Sequence, residues 1–158
     1  KQGFGMHVQV YDPYCPAEAI ESCGCEKAEL SQVLSTSDIV SVHLPVNAET
    51  RGIFDASWFA QMKSTALFIN TARASVVDQK ALIDALDQKK SAGAAMDVMW
   101  QEPAPQNHPL LDRDNVLITS HLAGMSCDVD RWQSEMIYDE IERFVQGQPP
   151  LRVWTRTE

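Results

Sequence analysis

Three side chains suited to anion binding and acid–base chemistry each follow a short apolar run in this sequence: Arg73, Glu102 and His121. Such runs predict buried strands, and open parallel sheets bind ligands beyond the carboxyl ends of their strands. An arginine there can hold a carboxylate through two hydrogen bonds, and a histidine can transfer a proton near neutral pH. A glutamate beside the histidine would fix its tautomer and favour its charged form. Together they predict a site that binds a small anionic substrate and moves a proton.

The segments around these residues alternate between strand and helix patterns. The predicted strands are residues 7–11, 39–44, 66–69, 94–98 and 116–119, and the predicted helices are residues 17–22, 29–34, 55–61, 78–89 and 126–145. Asp55 and Asp78 are expected to cap two of these helices, and Gly147 is expected to end the last one. Strands separated by helices favour right-handed crossovers, so the expected fold class is α/β, a doubly wound, mainly parallel, Rossmann-like sheet.

Composition sets the size of the fold and argues against two classes of partner. The 158 residues, 44% of them hydrophobic, suit one domain with one sizeable core. The formal net charge of −9 would repel phosphate backbones and anionic lipids, so neither nucleic acid nor a membrane is expected as a partner. Neither a signal peptide nor a spanning stretch of about 20 apolar residues is apparent, which predicts a cytoplasmic protein.

The four cysteines are expected to be unpaired, reduced thiols. They are Cys15, Cys23, Cys25 and Cys127. A metal site is the alternative, but Cys23 and Cys25 lack the spacing of redox and zinc motifs, and no histidine spacing supports one. The sequence therefore predicts no metal.

Asp12 follows the first predicted strand. An acidic residue at the end of the second strand of a dinucleotide-binding fold binds the adenosine ribose and would repel the 2′-phosphate of NADP, so Asp12 favours NAD. The alternative is that Asp12-Pro13 only makes a turn. No G-x-G-x-x-G motif precedes Asp12, and Gly5 is better explained as the end of a helix that began upstream. The first strand, glycine loop and first helix of the fold are therefore expected to be missing from this chain.

Three more polar residues have either a structural or a ligand-binding explanation. His43 follows a strand and could line a cofactor groove, although a single histidine there is more often structural. Asp97 interrupts an apolar strand and needs hydrogen-bond partners, which backbone amides or a ligand amide could supply. His108 lies in a proline-rich loop, where we favour a structural role.

Four stretches of the chain, taken together, resemble the D-isomer-specific 2-hydroxyacid dehydrogenases. They span residues 37–52, 62–78, 94–103 and 108–124, and their order and spacing match the family over nearly the whole chain. The resemblance implies that Arg73 binds and polarises a 2-oxo acid, that His121 is the general acid/base, and that Glu102 keeps His121 protonated. It also implies NAD as cofactor. The cofactor-binding residues that it implies are Asp12, His43, Pro45, Thr71, Ala72, Arg73, Asp97, His121 and Gly124.

The chain departs from the family pattern in small and large ways. Ser120 replaces the usual proline before the histidine, and Ala74 replaces a common glycine after the arginine. Without the first strand, residues 7–11 and 39–44 would each lack a neighbour in the sheet, and the substrate domain would also be absent. The expected organisation is a partial dinucleotide-binding domain over residues 1–147 and a tail over 148–158 that leads toward that missing domain.

The resemblance leaves three functions to compare. The first is an NAD-dependent oxidoreductase acting on a small 2-hydroxy or 2-oxo acid, typically as a homodimer. The second is a non-catalytic regulator of the same fold that senses NADH. The third is an α/β interaction domain without a ligand. Intact Arg73, Glu102 and His121 favour the enzyme.

Overall fold

The computed structural model describes residues 4–153 and divides the chain into two compact units, one up to residue 121 and one from residue 122 onward. The first unit contains all the strands. These are β1 (Gln9–Val10), β2 (Glu26–Lys27), β3 (Ile39–Val42), β4 (Leu67–Asn70), β5 (Gly93–Met96) and β6 (Val116–Ile118). Its helices are α1 (Ala17–Ser22), α2 (Leu30–Thr36), α3 (Ala56–Phe59) and α4 (Gln79–Asp87), with a 3₁₀ turn at Ala74–Val76. The second unit contains α5 (Cys127–Val145).

Every strand pair is parallel, and helices connect each strand to the next as far as β5, while a loop leads from β5 to β6. This arrangement confirms the α/β class expected from the sequence. Four strands form one sheet in the order β3-β4-β5-β6, and β1 and β2 form a separate two-stranded sheet. Within residues 4–153, β1 pairs only with β2 and β3 pairs only with β4, so each has one partner. Gly5 has a φ of +66°, but the helix that it was expected to end lies outside the described residues.

The core forms where the larger sheet meets the helices that connect its strands. Phe54, Phe59 and Phe68 are each at most 1% exposed, and their rings pack with centroids 4.6 to 5.2 Å apart. Helix α4 buries Leu82 and Leu86 in this core. Strands β3 and β4 bury alternate residues, and β5 is buried at three of its four residues.

Three of the helices begin at a polar residue that caps them, and two of these residues were expected from the sequence. Asp55 accepts hydrogen bonds from the backbone N–H groups of Ser57 and Trp58, and Asp78 accepts one from Ala81. Ser126 caps α5 through the amide of Val129. Each cap satisfies N–H groups that have no partner inside the helix. Gly147 follows α5 with a φ of +70°, the left-handed conformation that commonly ends a helix, as predicted.

The boundaries of several elements differ from the sequence-based expectation. The strand predicted over residues 7–11 is only Gln9–Val10, and its partner β2 was not predicted. Both residues of β2 are polar and exposed, so no apolar run marks it. The strand expected to reach Val98 ends at Met96, and the strand expected to reach Leu44 ends at Val42. The predicted tail is described only as far as residue 153.

The close packing of β5 against the segment before β6 depends on Gly93. A Cβ atom at this position would lie 2.5 Å from the carbonyl oxygen of Asn115, which is too close for any side chain. The backbone of Ala94 donates to that same carbonyl over 3.0 Å. Gly93 therefore sets the approach of the two strands whose carboxyl ends lead to Asp97 and Thr119.

The second unit is a long helix followed by a short return segment. Arg143 donates to the carbonyl oxygen of Pro149, and Arg152 forms an ion pair with Glu140 over 2.9 Å. These contacts hold residues 149–152 against the helix. Across residues 4–153, none of the helices combines the length and the hydropathy required to cross a bilayer.

Candidate active site

Glu102 and His121 form a hydrogen-bonded pair beyond the ends of β5 and β6. The Nδ1 atom of His121 lies 2.9 Å from Oε2 of Glu102, and Oε1 of Glu102 accepts the backbone N–H of Met99 over 2.9 Å. An ionised carboxylate can only accept, so Nδ1 must carry the hydrogen, and Nε2 is the ring nitrogen that can exchange a proton with a substrate. The structure therefore brings together two of the three residues in the predicted catalytic set.

The charge of Glu102 is favoured by its contacts. Hydrogen bonds from His121 and from the amide of Met99 hold the pKa of Glu102 below its usual value. The carboxylate is therefore ionised at neutral pH and faces Nδ1 of the imidazole. Both side chains are a little under half exposed, 45% for His121 and 42% for Glu102, so solvent reaches the pair.

His121 is held in an uncommon backbone conformation. Its φ is +59°, in the left-handed region that few residues other than glycine adopt. The backbone N–H of His121 donates to the carbonyl oxygen of Asp97 over 2.8 Å, which ties this turn to the end of β5. Conformations of this kind persist where the surrounding structure fixes them, and they are concentrated at functional sites.

Asp97 lies one residue past β5 and is 4% exposed. Its Oδ1 atom accepts a short hydrogen bond from the hydroxyl of Thr119, which lies one residue past β6. Met96 and Ile118 are partners in the parallel register, so the next residues on each strand are side by side. The sequence analysis considered amides as the partners of Asp97 and missed this hydroxyl. Asp97 and Thr119 each come one residue after a strand, and the two strands are neighbours, so this matching position was the signal that could have predicted their contact.

Arg73 follows β4, the other neighbour of β5 in the sheet. Its side chain is exposed, and across the described residues it makes no ion pair with a carboxylate. One contact orients the guanidinium, since Nη1 donates to the carbonyl oxygen of Ala72 over 2.6 Å. A guanidinium held in this way keeps further N–H donors available for a substrate carboxylate.

The turn that carries Arg73 is organised by Asn70, which is fully buried. The side-chain Nδ2 of Asn70 donates to the carbonyl oxygen of Arg73, and Oδ1 accepts the N–H of Ala72, both over 3.0 Å. The backbone carbonyl of Asn70 also accepts the N–H of Asp97 over 3.0 Å. The ends of β4, β5 and β6 are thus connected by hydrogen bonds through Asn70, Asp97 and His121. The sequence analysis did not single out Asn70.

The other residues predicted to bind the cofactor differ in their exposure and in their hydrogen-bond partners. Oδ1 of Asp12 accepts the backbone N–H groups of Tyr14 and Cys15, which is the turn that the alternative explanation described. His43 is exposed and lies 2.9 Å from the hydroxyl of Ser41. The carbonyl oxygen of Pro45 accepts the hydroxyl of Thr50. Thr71 is exposed at the end of β4, and Gly124 belongs to the second unit.

His108 is a structural residue, as favoured from the sequence. Its Nδ1 atom accepts the backbone N–H of Leu110, and Nε2 lies 2.9 Å from the side-chain amide of Gln79. The ring stacks on Trp100 at an interplanar angle of 8°. Burial lowers the pKa of His108. The neutral ring therefore joins the proline-rich loop that carries Glu102 to helix α4.

Metal binding receives no support from the described residues. Within residues 4–153, no group of three or more histidine, cysteine, aspartate or glutamate side chains is arranged to hold an ion. The four cysteines, all of which are in this range, are unpaired.

Three comparisons relate this geometry to known proteins. Residues 1–123 match the family model described as "D-isomer specific 2-hydroxyacid dehydrogenase, NAD binding domain". A glyoxylate reductase from Korarchaeum cryptofilum is 38% identical over 94% of this chain and 45% of its own length. A D-isomer specific 2-hydroxyacid dehydrogenase from Xanthobacter autotrophicus, solved with NADPH and MES, aligns with a TM-score of 0.81 at 38% identity, over 93% of this chain and 60% of its own.

D-lactate dehydrogenase from Lactobacillus jensenii, solved with NAD⁺, aligns with a TM-score of 0.85 at 28% identity, over 96% of this chain and 49% of its own. The chain therefore spans about half the length of the relatives that it matches.

Proposed function

Since the chain belongs to the D-isomer specific 2-hydroxyacid dehydrogenases and is an NAD-binding domain of that family, we propose that its protein transfers a hydride reversibly between NAD(H) and a 2-hydroxy or 2-oxo acid. The proposal is supported above all by the hydrogen bond of 2.9 Å between Nδ1 of His121 and Glu102. Reduction of a keto group requires a proton donor, and the carboxylate of Glu102 holds the imidazole in the tautomer that leaves Nε2 to exchange a proton.

The residues at the strand ends fit a dinucleotide. Asp97 is an almost buried carboxylate fixed by the hydroxyl of Thr119, which suits an acceptor for a ligand amide. Thr71 and Ala72 would line the nicotinamide side together with Asp97, and His43 and Pro45 would lie along the groove. When bound, the nicotinamide supplies the hydride that C2 of the oxo acid receives.

The side chains of this chain divide the remaining work. Arg73 would hold the substrate carboxylate through two N–H groups and polarise the keto oxygen. Nε2 of His121 would donate its proton to that oxygen in reduction and take it back in oxidation. Glu102, through Nδ1, would hold the ring in the tautomer that leaves Nε2 to react and would stabilise its charged form.

Asp12 would make the enzyme prefer NAD over NADP. A carboxylate that accepts hydrogen bonds from the ribose hydroxyls would repel a 2′-phosphate at the same place, because both groups are negatively charged. The contacts of Asp12 with Tyr14 and Cys15 both use Oδ1, and they hold the carboxylate at the end of β1. One related structure holds NAD⁺ and another holds NADPH, so the relatives do not fix the cofactor, and the preference for NAD over NADP has to be measured in this protein.

The test is a dehydrogenase assay on the full-length protein with NADH and a panel of 2-oxo acids, glyoxylate included. We expect oxidation of NADH that depends on the acid and that falls about 10²- to 10⁴-fold in His121→Ala. Binding of NADH without turnover would instead support the regulator. Absence of both binding and turnover would support the interaction domain. Light scattering of the same sample tests the expected homodimer, and fractionation of cells tests the expected cytoplasmic location.

A further inference from the structure

Asn70 is a polar side chain that the predicted chemistry does not use, although it is 0% exposed at the end of a strand beside the candidate site. Burying an amide group is unfavourable unless its donors and acceptors have partners. Here both side-chain atoms contact backbone groups of the same short turn, Nδ2 with the carbonyl of Arg73 and Oδ1 with the amide of Ala72. The side chain therefore fixes the peptide group before Ala72 and the peptide group after Arg73.

This turn is what holds the guanidinium. Nη1 of Arg73 donates to the carbonyl oxygen of Ala72, the residue whose N–H is bound by Asn70. If Ala72 rotates, the acceptor for Nη1 moves with it, and the direction of the planar guanidinium changes. Bidentate binding of a carboxylate depends on that direction.

Asn70 also connects this turn to the acid–base pair. Its backbone carbonyl accepts the N–H of Asp97, and the carbonyl of Asp97 accepts the N–H of His121. The turn that carries Arg73 and the turn that carries His121 are thus joined by one chain of hydrogen bonds across the ends of β4, β5 and β6. A small displacement at β4 would change the distance between Arg73, which is expected to hold the substrate carboxylate, and His121, which is expected to protonate the keto oxygen.

We infer that Asn70 is a positioning residue that aims the guanidinium of Arg73 at the substrate carboxylate. The inference rests on the proposed function, because it assigns Asn70 a task at that same site. A purely structural amide would affect only the stability of the fold, whereas a positioning amide must also affect the binding of the oxo acid.

The decisive comparison uses Asn70→Asp and a matched control, Ser91→Ala. The carboxylate of N70D can still accept the N–H of Ala72 but cannot donate to the carbonyl of Arg73. Ser91 is 2% exposed, and its hydroxyl contacts the carbonyls of Ala66 and Gly93 at the amino ends of β4 and β5, away from the turn of Arg73. Both variants lose a buried hydrogen bond to the backbone, but only N70D changes the turn of Arg73.

In the full-length protein, we expect N70D to raise the KM for the 2-oxo acid about 10- to 100-fold, with a smaller change in kcat, because weaker binding of the carboxylate acts on the ground state and the transition state alike. S91A should keep the wild-type KM even where its thermal stability falls as far. Equal KM values for N70D, S91A and the wild type would overturn the inference while the wild-type activity leaves the proposed function standing.

A second measurement can overturn the inference without activity and without a variant. Hydrogen exchange on the wild-type chain should show the amide of Ala72 strongly protected, because Oδ1 of Asn70 accepts its hydrogen. Exchange at the rate of an open loop would refute the inference whatever N70D does. A wild-type protein with no dehydrogenase activity would refute the proposed function separately.

Discussion

The dependence of His121 on Glu102 gives the sharpest prediction. Glu102→Gln keeps the size of the side chain and one acceptor oxygen for Met99, but it removes the negative charge that faces Nδ1 of His121. The protonated imidazole then loses its stabilising partner. Reduction, which requires protonated His121, should therefore shift its pH profile toward lower pH.

The size of the effect follows from the exposure of the pair. Because both side chains are a little under half exposed, solvent screens the interaction, and the charge alone is expected to change the rate of reduction near neutral pH about 2- to 10-fold. Loss of His121 itself should cost about 10²- to 10⁴-fold, so the two effects are easily separated. The pKa of Glu102 lies below its usual value, so the carboxylate stays ionised through the neutral range and its own titration does not distort the profile there.

The assay is a double-mutant cycle measured as kcat/KM across pH. If Glu102 acts only through His121, Glu102→Gln should slow the wild type but change nothing further in the His121→Ala background. Equal losses in both backgrounds would mean that Glu102 acts on the substrate by another route. A pH profile that does not move in Glu102→Gln would refute the reasoning and leave Glu102 only as an anchor for the amide of Met99.

Four further changes test other parts of the structure. Arg73→Lys should raise the KM for the oxo acid at least about 10-fold in steady-state assays, because an ammonium cannot reproduce the two-pronged contact; a wild-type KM would count against the clamp. Asp12→Ser should raise kcat/KM with NADPH relative to NADH, and an unchanged ratio would leave Asp12 only its turn. Gly93→Ala should lower the free energy of unfolding by about 1–3 kcal/mol in denaturant titrations, since the added Cβ meets the carbonyl of Asn115; unaltered stability would contradict the packing. Burial lowers the pKa of His108, so the neutral ring contributes its full stabilisation above the ordinary pKa of 6.5 and loses it as pH falls through the lower pKa of the folded state. His108→Asn should therefore reduce the loss of Tm in acid, and an equal loss would assign that effect to another group.

The elements that the sequence predicted well are those whose signals are local. Asp55 and Asp78 cap their helices because a carboxylate can reach first-turn amides in any context. The apolar run that ends at Ile69 formed strand β4, which buries Phe68 in the core. Strand β2 was missed because Glu26 and Lys27 form a strand by pairing with β1, and two exposed polar residues carry no local signal for that pairing.

The candidate site shows the same difference between local signals and contacts that depend on the fold. The strand-end rule placed Glu102 and His121 at one edge, and the structure brings them into contact. The hydroxyl of Thr119 on Asp97 and the amide of Asn70 under Arg73 were not predicted. Both depend on the register of neighbouring strands and on the geometry of a turn, and neither quantity can be read from residue types alone.

The register also explains why residues so far apart in the chain can act on one group. Asn70 pairs with Met96, and Met96 pairs with Ile118, so the last residues of β4, β5 and β6 are level across the sheet. Arg73 and His121 each lie three residues beyond that line, since 73 − 70 and 121 − 118 both equal 3. Side chains alternate between the faces of a strand, so a slip of one residue in either pairing would move a whole strand to the wrong face and separate the two turns. The apolar side chains of β4 and β5, through the burial that prevents such a slip, therefore do as much to form the candidate site as the polar residues beyond their ends.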